Sequence, residues 1–274
     1  MKAWQDLLRK VWTEGEVRTD RTGVGTRSIF GLSAKFVNTP DSFPAVTTKQ
    51  LAVRQCFGEM ASFLQGADNL DQFHANGCAV WDGNANSSYW KPREPGDVGR
   101  IYGVQWVDWR SYHFGGHKST NQLQMLVEGL KKDPTSRRHI VTAWNPGELD
   151  QMCLPPCHIF FQCYVSNGEL DLQVYMRSVD LVLGLPFDIA GYALLQHLIA
   201  REVNLEPRRL LFQFGDAHVY LNHSEAVETI LGRGTYPPPR LELDSNAGLF
   251  DFHPTQARLA NYAPWPAVKA ELNV

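Results

Sequence analysis

The chain has almost no excess of either charge. Its 26 Lys and Arg stand against 29 Asp and Glu, a net of -3 over 274 residues. Without a basic surplus, bulk electrostatic binding of nucleic acid or of an anionic membrane is excluded. An anionic ligand must then be held by a few placed arginines. No apolar run approaches the roughly 20 residues that cross a bilayer. The amphipathic start, MKAWQDLLRKVWTEGE, also lacks the unbroken apolar core of a signal peptide. Cysteine is scarce and odd in number: five, with spacings that suggest no disulfide framework. That absence predicts a reducing, cytoplasmic setting, the host cytoplasm for a viral protein. Repeats and low-complexity tracts are missing. His113 and His117 have a helical metal-site spacing, but Gly115 and Gly116 between them disfavour a helix, so no metal is expected.

What is there is enough to fold. With 43% hydrophobic residues the chain can bury a sizeable core, and we read 1–274 as one catalytic domain. The Gly-, Pro-, Ser- and Asn-rich stretch 84–100 is expected to be a loop or small insertion, the one candidate boundary. Apolar spacing predicts helices to about Gly15, over 51–64, near 121–132, over 186–203 and over 224–231. Strands are expected at 27–37, 139–144, 158–165, 169–176 and 210–213. Asn167-Gly168 joins two of them as a hairpin turn. Strands mixed with helices, including a hairpin, point to an α+β protein built on a mixed sheet.

The chemistry starts at CLPPCH. Two prolines fix the backbone ahead of Cys157 and present its thiol from a rigid turn at the head of a strand. A thiol attacks as its thiolate, which needs a nearby cation, and Arg177 at the end of the second hairpin strand is the expected supplier.

LPPCH, MRSVDLVLGLPFDIAGYALL and FGDAHVYLNH together resemble the thymidylate synthase family. So do DRTGVGTRSIFG, VTTKQ, GEMASFLQG, AVWDG, GRIYGVQW and DPTSRRHIVTAWNPGELD, in the same order along nearly the whole chain. The resemblance implies a large mixed sheet flanked by helices and a homodimer packed through its sheets. It implies 5,10-methylenetetrahydrofolate as the one-carbon donor. It makes Cys157 the nucleophile that adds to C6 of a pyrimidine deoxynucleotide. Arg21, Arg177, Arg137 and Arg138 become phosphate ligands, the last two reaching across from the partner subunit. Ser178, His218 and Tyr220 fall on the phosphate and sugar. Glu59, Tyr102 and His158 join Cys157 and Arg177 in the catalytic set. Trp81, Asp180, Lys49, Leu154, Gly184 and Val274 form the folate side.

Departures from the family pattern shape the rest. Asp188 stands in LPFDIAGY where thymidylate synthases carry Asn facing N3 and the C4 substituent of uracil. A protonated carboxyl can donate to N3 of cytosine and accept from its amino group. Once ionised, it can accept from the N3-protonated ring that forms as the thiol adds. Asp here is similar to the deoxycytidylate hydroxymethylases and favours dCMP over dUMP. Met176 replaces a usual Gln, Asn84 replaces a second Trp, and the end, ELNV, is less apolar than a typical synthase tail. A looser lid favours water over hydride at the C5 methylene. The expected activity is dCMP 5-hydroxymethyltransferase. Behind it stand a dCMP 5-methyltransferase, then a dUMP-using thymidylate synthase, then a non-catalytic nucleotide- or RNA-binding paralogue. No nucleic-acid or membrane partner is expected.

Overall fold

The computed structural model of the protein describes residues 1–19 and 22–273, so the expectations for Arg21 and Val274 lie outside the described residues. The scaffold is a six-stranded sheet ordered β1-β2-β8-β7-β6-β5. In chain order these strands are β1 (Glu16–Arg18), β2 (Thr26–Val37), β5 (Ile140–Thr142), β6 (His158–Ser166), β7 (Glu169–Asp180) and β8 (Glu206–Tyr220). Every neighbouring pair is antiparallel except β7 and β8. A parallel pair needs a crossover, and α7 (Gly184–Glu202) supplies it. From Ile189 to Ala200 this helix is buried on all sides, which is why its sequence is apolar round its whole circumference. Pro186 sits in its first turn, where the missing N–H breaks no helical bond.

Around the sheet and α7 lie α1 (Lys2–Glu14), α2 (Val53–Leu64), α3 (Leu70–Ala75), α4 (Asp82–Ala85), α5 (Tyr102–Val107), α6 (Gln122–Lys132) and α8 (Ser224–Gly232). Two small hairpins, β3 (Trp109–His113) with β4 (Gly116–Thr120) and β9 (Arg240–Leu243) with β10 (Ala257–Ala260), complete the fold. The β6–β7 turn has positive φ at both Asn167 and Gly168, the mirror-image turn that matches strand twist.

Several elements differ from the sequence expectation or add to it. The strand expected at 210–213 runs over 206–220, because it is paired on both sides and needs no unbroken apolar run to persist. His218 and Tyr220 therefore stand on a central strand. The stretch 84–100 holds the end of α4 and a firmly tied loop. Its buried Asp97 accepts from Arg93 N, Nε and a terminal guanidinium nitrogen, and from Gly99 N. Residues 109–120, left unassigned by periodicity, form an exposed hairpin.

Along β7, buried Leu172, Val174 and Met176 alternate with half-buried Gln173, Tyr175 and Arg177. Past Met176 the alternation breaks: Arg177 and Ser178 are both half-buried and Val179 is buried again.

Candidate active site

The prolines ahead of β6 work through their carbonyls. Arg177 Nε donates to Pro156 O at 2.8 Å and a terminal nitrogen donates to Pro155 O at 2.9 Å, which pins the turn. Arg177 N also donates to Cys157 O at 2.8 Å. The guanidinium also meets Cys157 Sγ at 3.8 Å, so the cation expected beside the thiol is present. Gly215 on β8 lets Arg177 come this close: a Cβ there would lie 2.7 Å from Arg177 O. Four of the five cysteines are buried, and Cys157 alone is not. Burial pushes the thiols of Cys78, Cys153 and Cys163 up to about 12 and that of Cys56 well above its ordinary value. Those four are inert at neutral pH. Cys157 is the thiol that can react.

Tyr102 opens α5, held against α2 at Gly103, where a Cβ would meet Phe63 O at 2.3 Å. Its hydroxyl accepts from Cys157 N at 2.7 Å. Its ring stacks on His158 with centroids 4.0 Å apart. Burial first, then the Cys157 charge, raises the Tyr102 phenol well above its usual value. His158 Nδ1 lies 2.6 Å from the Tyr192 hydroxyl, and burial drives the imidazole down to about 3. It is therefore neutral. Its Nε2 faces Asp188 Oδ1 at 3.8 Å. Desolvation, then the charges of Glu59 and Asp180, pushes Asp188 well above the usual carboxylate range. Burial favours the neutral form of each group, which makes this contact a dipole facing a carboxyl rather than an ion pair.

Glu59 on α2 accepts from Trp81 Nε1 at 2.9 Å. Its carboxyl rises from 4.5 to about 7 through desolvation, which the Trp81 bond opposes. Between those values the folded state holds a proton that the unfolded state has released. Its contribution to stability is complete below about 4.5 and is lost as pH rises through about 7. Replacing Glu59 by Gln removes that burden. We expect the melting temperature to rise by about 2–4 °C at pH 8 and not at pH 5, read by calorimetry, while turnover falls.

Among the residues expected on the folate side, Asp180 ends β7 and ties the turn into α7, accepting from Val182 N at 2.8 Å and Leu183 N at 3.3 Å. Gly184 sits between the two carboxyls: a Cβ there would lie 3.8 Å from Asp180 Cβ and 3.9 Å from Asp188 Oδ2. Lys49 is buried beneath this corner and donates to Val182 O at 2.6 Å, so its ammonium braces the α7 entry and faces no open space. Burial lowers it to about 8. Leu154 is half-buried ahead of the prolines. The register places Ser178 beside Asp216 and Asp180 beside His218. His218 Nδ1 meets Asp216 Oδ1 at 3.3 Å, and Tyr220 donates to Asn273 O at 3.4 Å. Met176 is packed in the core at 1% exposure, so it opens no path for water, against the sequence expectation. Asn84 is different. Its Nδ2 is buried without a partner among the described residues, one turn along from Trp81.

Arg137 and Arg138 are not brought to this cluster. Both are exposed on the segment before β5, the edge strand, where Cys163 N donates to His139 O. That level of β6 lies some six residues, roughly 20 Å, from Cys157. Arg138 instead lines a cleft of 470 Å³ beneath the β3–β4 hairpin and α6, away from the thiol. Among the described residues no three His, Cys, Asp or Glu gather as a metal site.

The family model for thymidylate synthase matches residues 2–274. The chain belongs to the thymidylate synthase family. Its fold, a large mixed sheet flanked by helices, is that of the family. Family membership makes it a one-carbon transferase acting in folate-dependent transfer to C5 of a pyrimidine nucleotide. No helix among the described residues is long and apolar enough to cross a membrane. The position that sequence reasoning missed is Tyr192, one helical turn after Asp188. The i, i+4 spacing was the only signal available.

Proposed function

We infer that the protein is a dCMP 5-hydroxymethyltransferase using 5,10-methylenetetrahydrofolate and water. The observation that carries this is Asp188, buried at the end of the Cys157–Tyr102–His158 cluster, where desolvation first and then the charges of Glu59 and Asp180 push its carboxyl well above the usual carboxylate range. When a thiolate adds to C6 of cytosine, negative charge develops at N3, and that nitrogen needs a proton. A neutral carboxyl supplies it and then binds the N–H it has made. Uracil develops its charge at O4 and has no use for an acid at N3.

Cys157 forms the bond to C6, with Arg177 favouring its thiolate. Glu59, half protonated near neutral pH, carries protons around the base, and Tyr102 stands by Cys157 to assist removal of the C5 proton. Ser178, His218 and Tyr220 bind phosphate and sugar. Arg21 is assigned to the phosphate on its motif alone. The residues present fit a reduced folate: Asn84 offers a buried unpaired donor near Trp81, and the Asp180 carboxylate lies at the same corner. Trp81, Asp180, Leu154, Gly184 and Val274 would hold it, with Lys49 bracing α7 from behind. The folate supplies the one-carbon unit.

Asn84, as an orphaned polar group in that wall, favours an ordered water there. One observation favours 5-methyl transfer as the second reading. The tail is docked, with His223 Nε2 at 2.7 Å from Glu271 O and Asn222 Nδ2 donating to the side-chain oxygens of Glu271 and Asn273. A seated tail excludes water. Mass spectrometry of the nucleotide formed from dCMP and from dUMP, with dihydrofolate absorbance followed in the same tubes, separates the readings. A 5-hydroxymethyl-dCMP product without dihydrofolate supports the first. A 5-methyl product with dihydrofolate replaces it by the second, and turnover of dUMP alone removes both.

The homodimer is part of the proposal. The sheet leaves Phe30, Ile140 and Tyr164 exposed. A partner lying there brings its own Arg137 and Arg138 to a site these residues cannot reach within one chain. Cys157→Ala and the double variant Arg137→Ala/Arg138→Ala are each expected to be inactive. Hybrids assembled from a mixture should regain about a quarter of wild-type activity, since half the dimers carry one intact site. A mixture as inactive as its parents counts against the crossing.

A further inference from the structure

Asp188 reads a base only if one of its oxygens is committed to carrying the proton. A neutral carboxyl with an uncommitted proton presents donor and acceptor in either order, and so matches uracil as well as cytosine. Something must hold the order, and the structure contains a chain of contacts able to do it.

Tyr192 lies four residues beyond Asp188 on α7 and is 1% exposed. Its hydroxyl makes one hydrogen bond among the described residues, to His158 Nδ1 at 2.6 Å. If Nδ1 carried the imidazole proton, the phenol would accept that bond and its own O–H would be left buried without an acceptor. Such an orphan donor costs about 1–3 kcal/mol. The phenol therefore donates, Nδ1 accepts, and the single proton of the neutral ring sits on Nε2. Nε2 faces Asp188 Oδ1 at 3.8 Å.

We propose that Tyr192 is the positioning residue for the base-reading carboxyl: it fixes the His158 tautomer, whose Nε2–H turns its dipole on Asp188 Oδ1 across 3.8 Å and so favours the carboxyl proton on Oδ2. This rests on the assignment of Asp188 to the base. The wall formed by Cys157, Tyr102 and His158 then sets which edge of the ring meets which oxygen. Tyr102 bonds the Cys157 backbone and stacks on His158, so this wall follows C6, C5 and C4 of a base attached to Cys157 at C6. Oδ1, beside His158, meets the C4 substituent and accepts from an amino group. Oδ2–H meets N3. That is the cytosine order. The same Nε2–H also stabilises the carboxylate left when N3 takes the proton.

The test is nitrogen-15 NMR of the full-length enzyme labelled at its nine histidines, with His158 assigned by the signals lost in His158→Gln. In the wild type the expected pattern is a protonated Nε2 and an unprotonated Nδ1. In Tyr192→Phe both nitrogens should move toward intermediate shifts. In parallel, kcat for dCMP should fall about 10-fold with KM less affected, and the dCMP-to-dUMP ratio of kcat/KM should fall with it. A wild-type spectrum with the proton on Nδ1 overturns the proposal without any variant. So does a tautomer that ignores Tyr192→Phe, or one that shifts while the ratio stays put. A wild type that turns over only dUMP sinks the assignment of Asp188 instead, and the resonances still decide whether Tyr192 sets His158.

Discussion

Replacing Asp188 by Asn should lower kcat/KM for dCMP by about 10²- to 10⁴-fold and move the dCMP-to-dUMP ratio toward dUMP. The size follows from what is removed. Asn is nearly isosteric and can still hydrogen-bond, but it carries no proton that it can give to N3. Charge that develops on cytosine N3 during thiol addition is then left unneutralised in a site where Glu59 and Tyr102 are both held toward their protonated forms by burial. Unpaired charge in such surroundings is costly. The loss should appear in kcat, because the proton is needed only as the thiol adds. Steady-state kinetics on both nucleotides reads it directly. A ratio that does not change would remove Asp188 from the base-reading role.

Cys157→Ala should abolish turnover, with at least about a 10⁴-fold loss, and should prevent any covalent adduct with a 5-fluoropyrimidine deoxynucleotide in the presence of the folate. No other cysteine can substitute. Cys56, Cys78, Cys153 and Cys163 are buried, and burial holds each thiol far above neutrality. Nucleotide binding should survive, since Cys157 is half-exposed and carries none of the fold's core. Denaturing mass spectrometry of wild type and variant side by side gives the answer. An adduct that persists in Cys157→Ala would place the nucleophile elsewhere.

The Asn167-Gly168 hairpin, the buried run of α7 and the proline turn before Cys157 were all legible, because each depends on a few adjacent residues. The long motifs carried the family in the same way. Other parts were written too thinly to read. The polar Gln213, Asp216 and His218 hid a 15-residue strand whose stability comes from its two neighbours. Lys49 read as a residue of the folate side, and only the fold shows that its ammonium is buried and donates to Val182 O. Met176 read as a gap in the site and proved to be core.

The sequence by itself determined the family, the mixed α+β class and the substitution at Asp188, because those are questions of residue type and local spacing. Only the tertiary structure decided which cation meets the thiol, that His158 is neutral and bonded to Tyr192, and that Arg137 and Arg138 stand roughly 20 Å along β6 from the cysteine of their own chain. Protonation depends on burial and on neighbours distant in sequence, and neither exists until the sheet closes over α7.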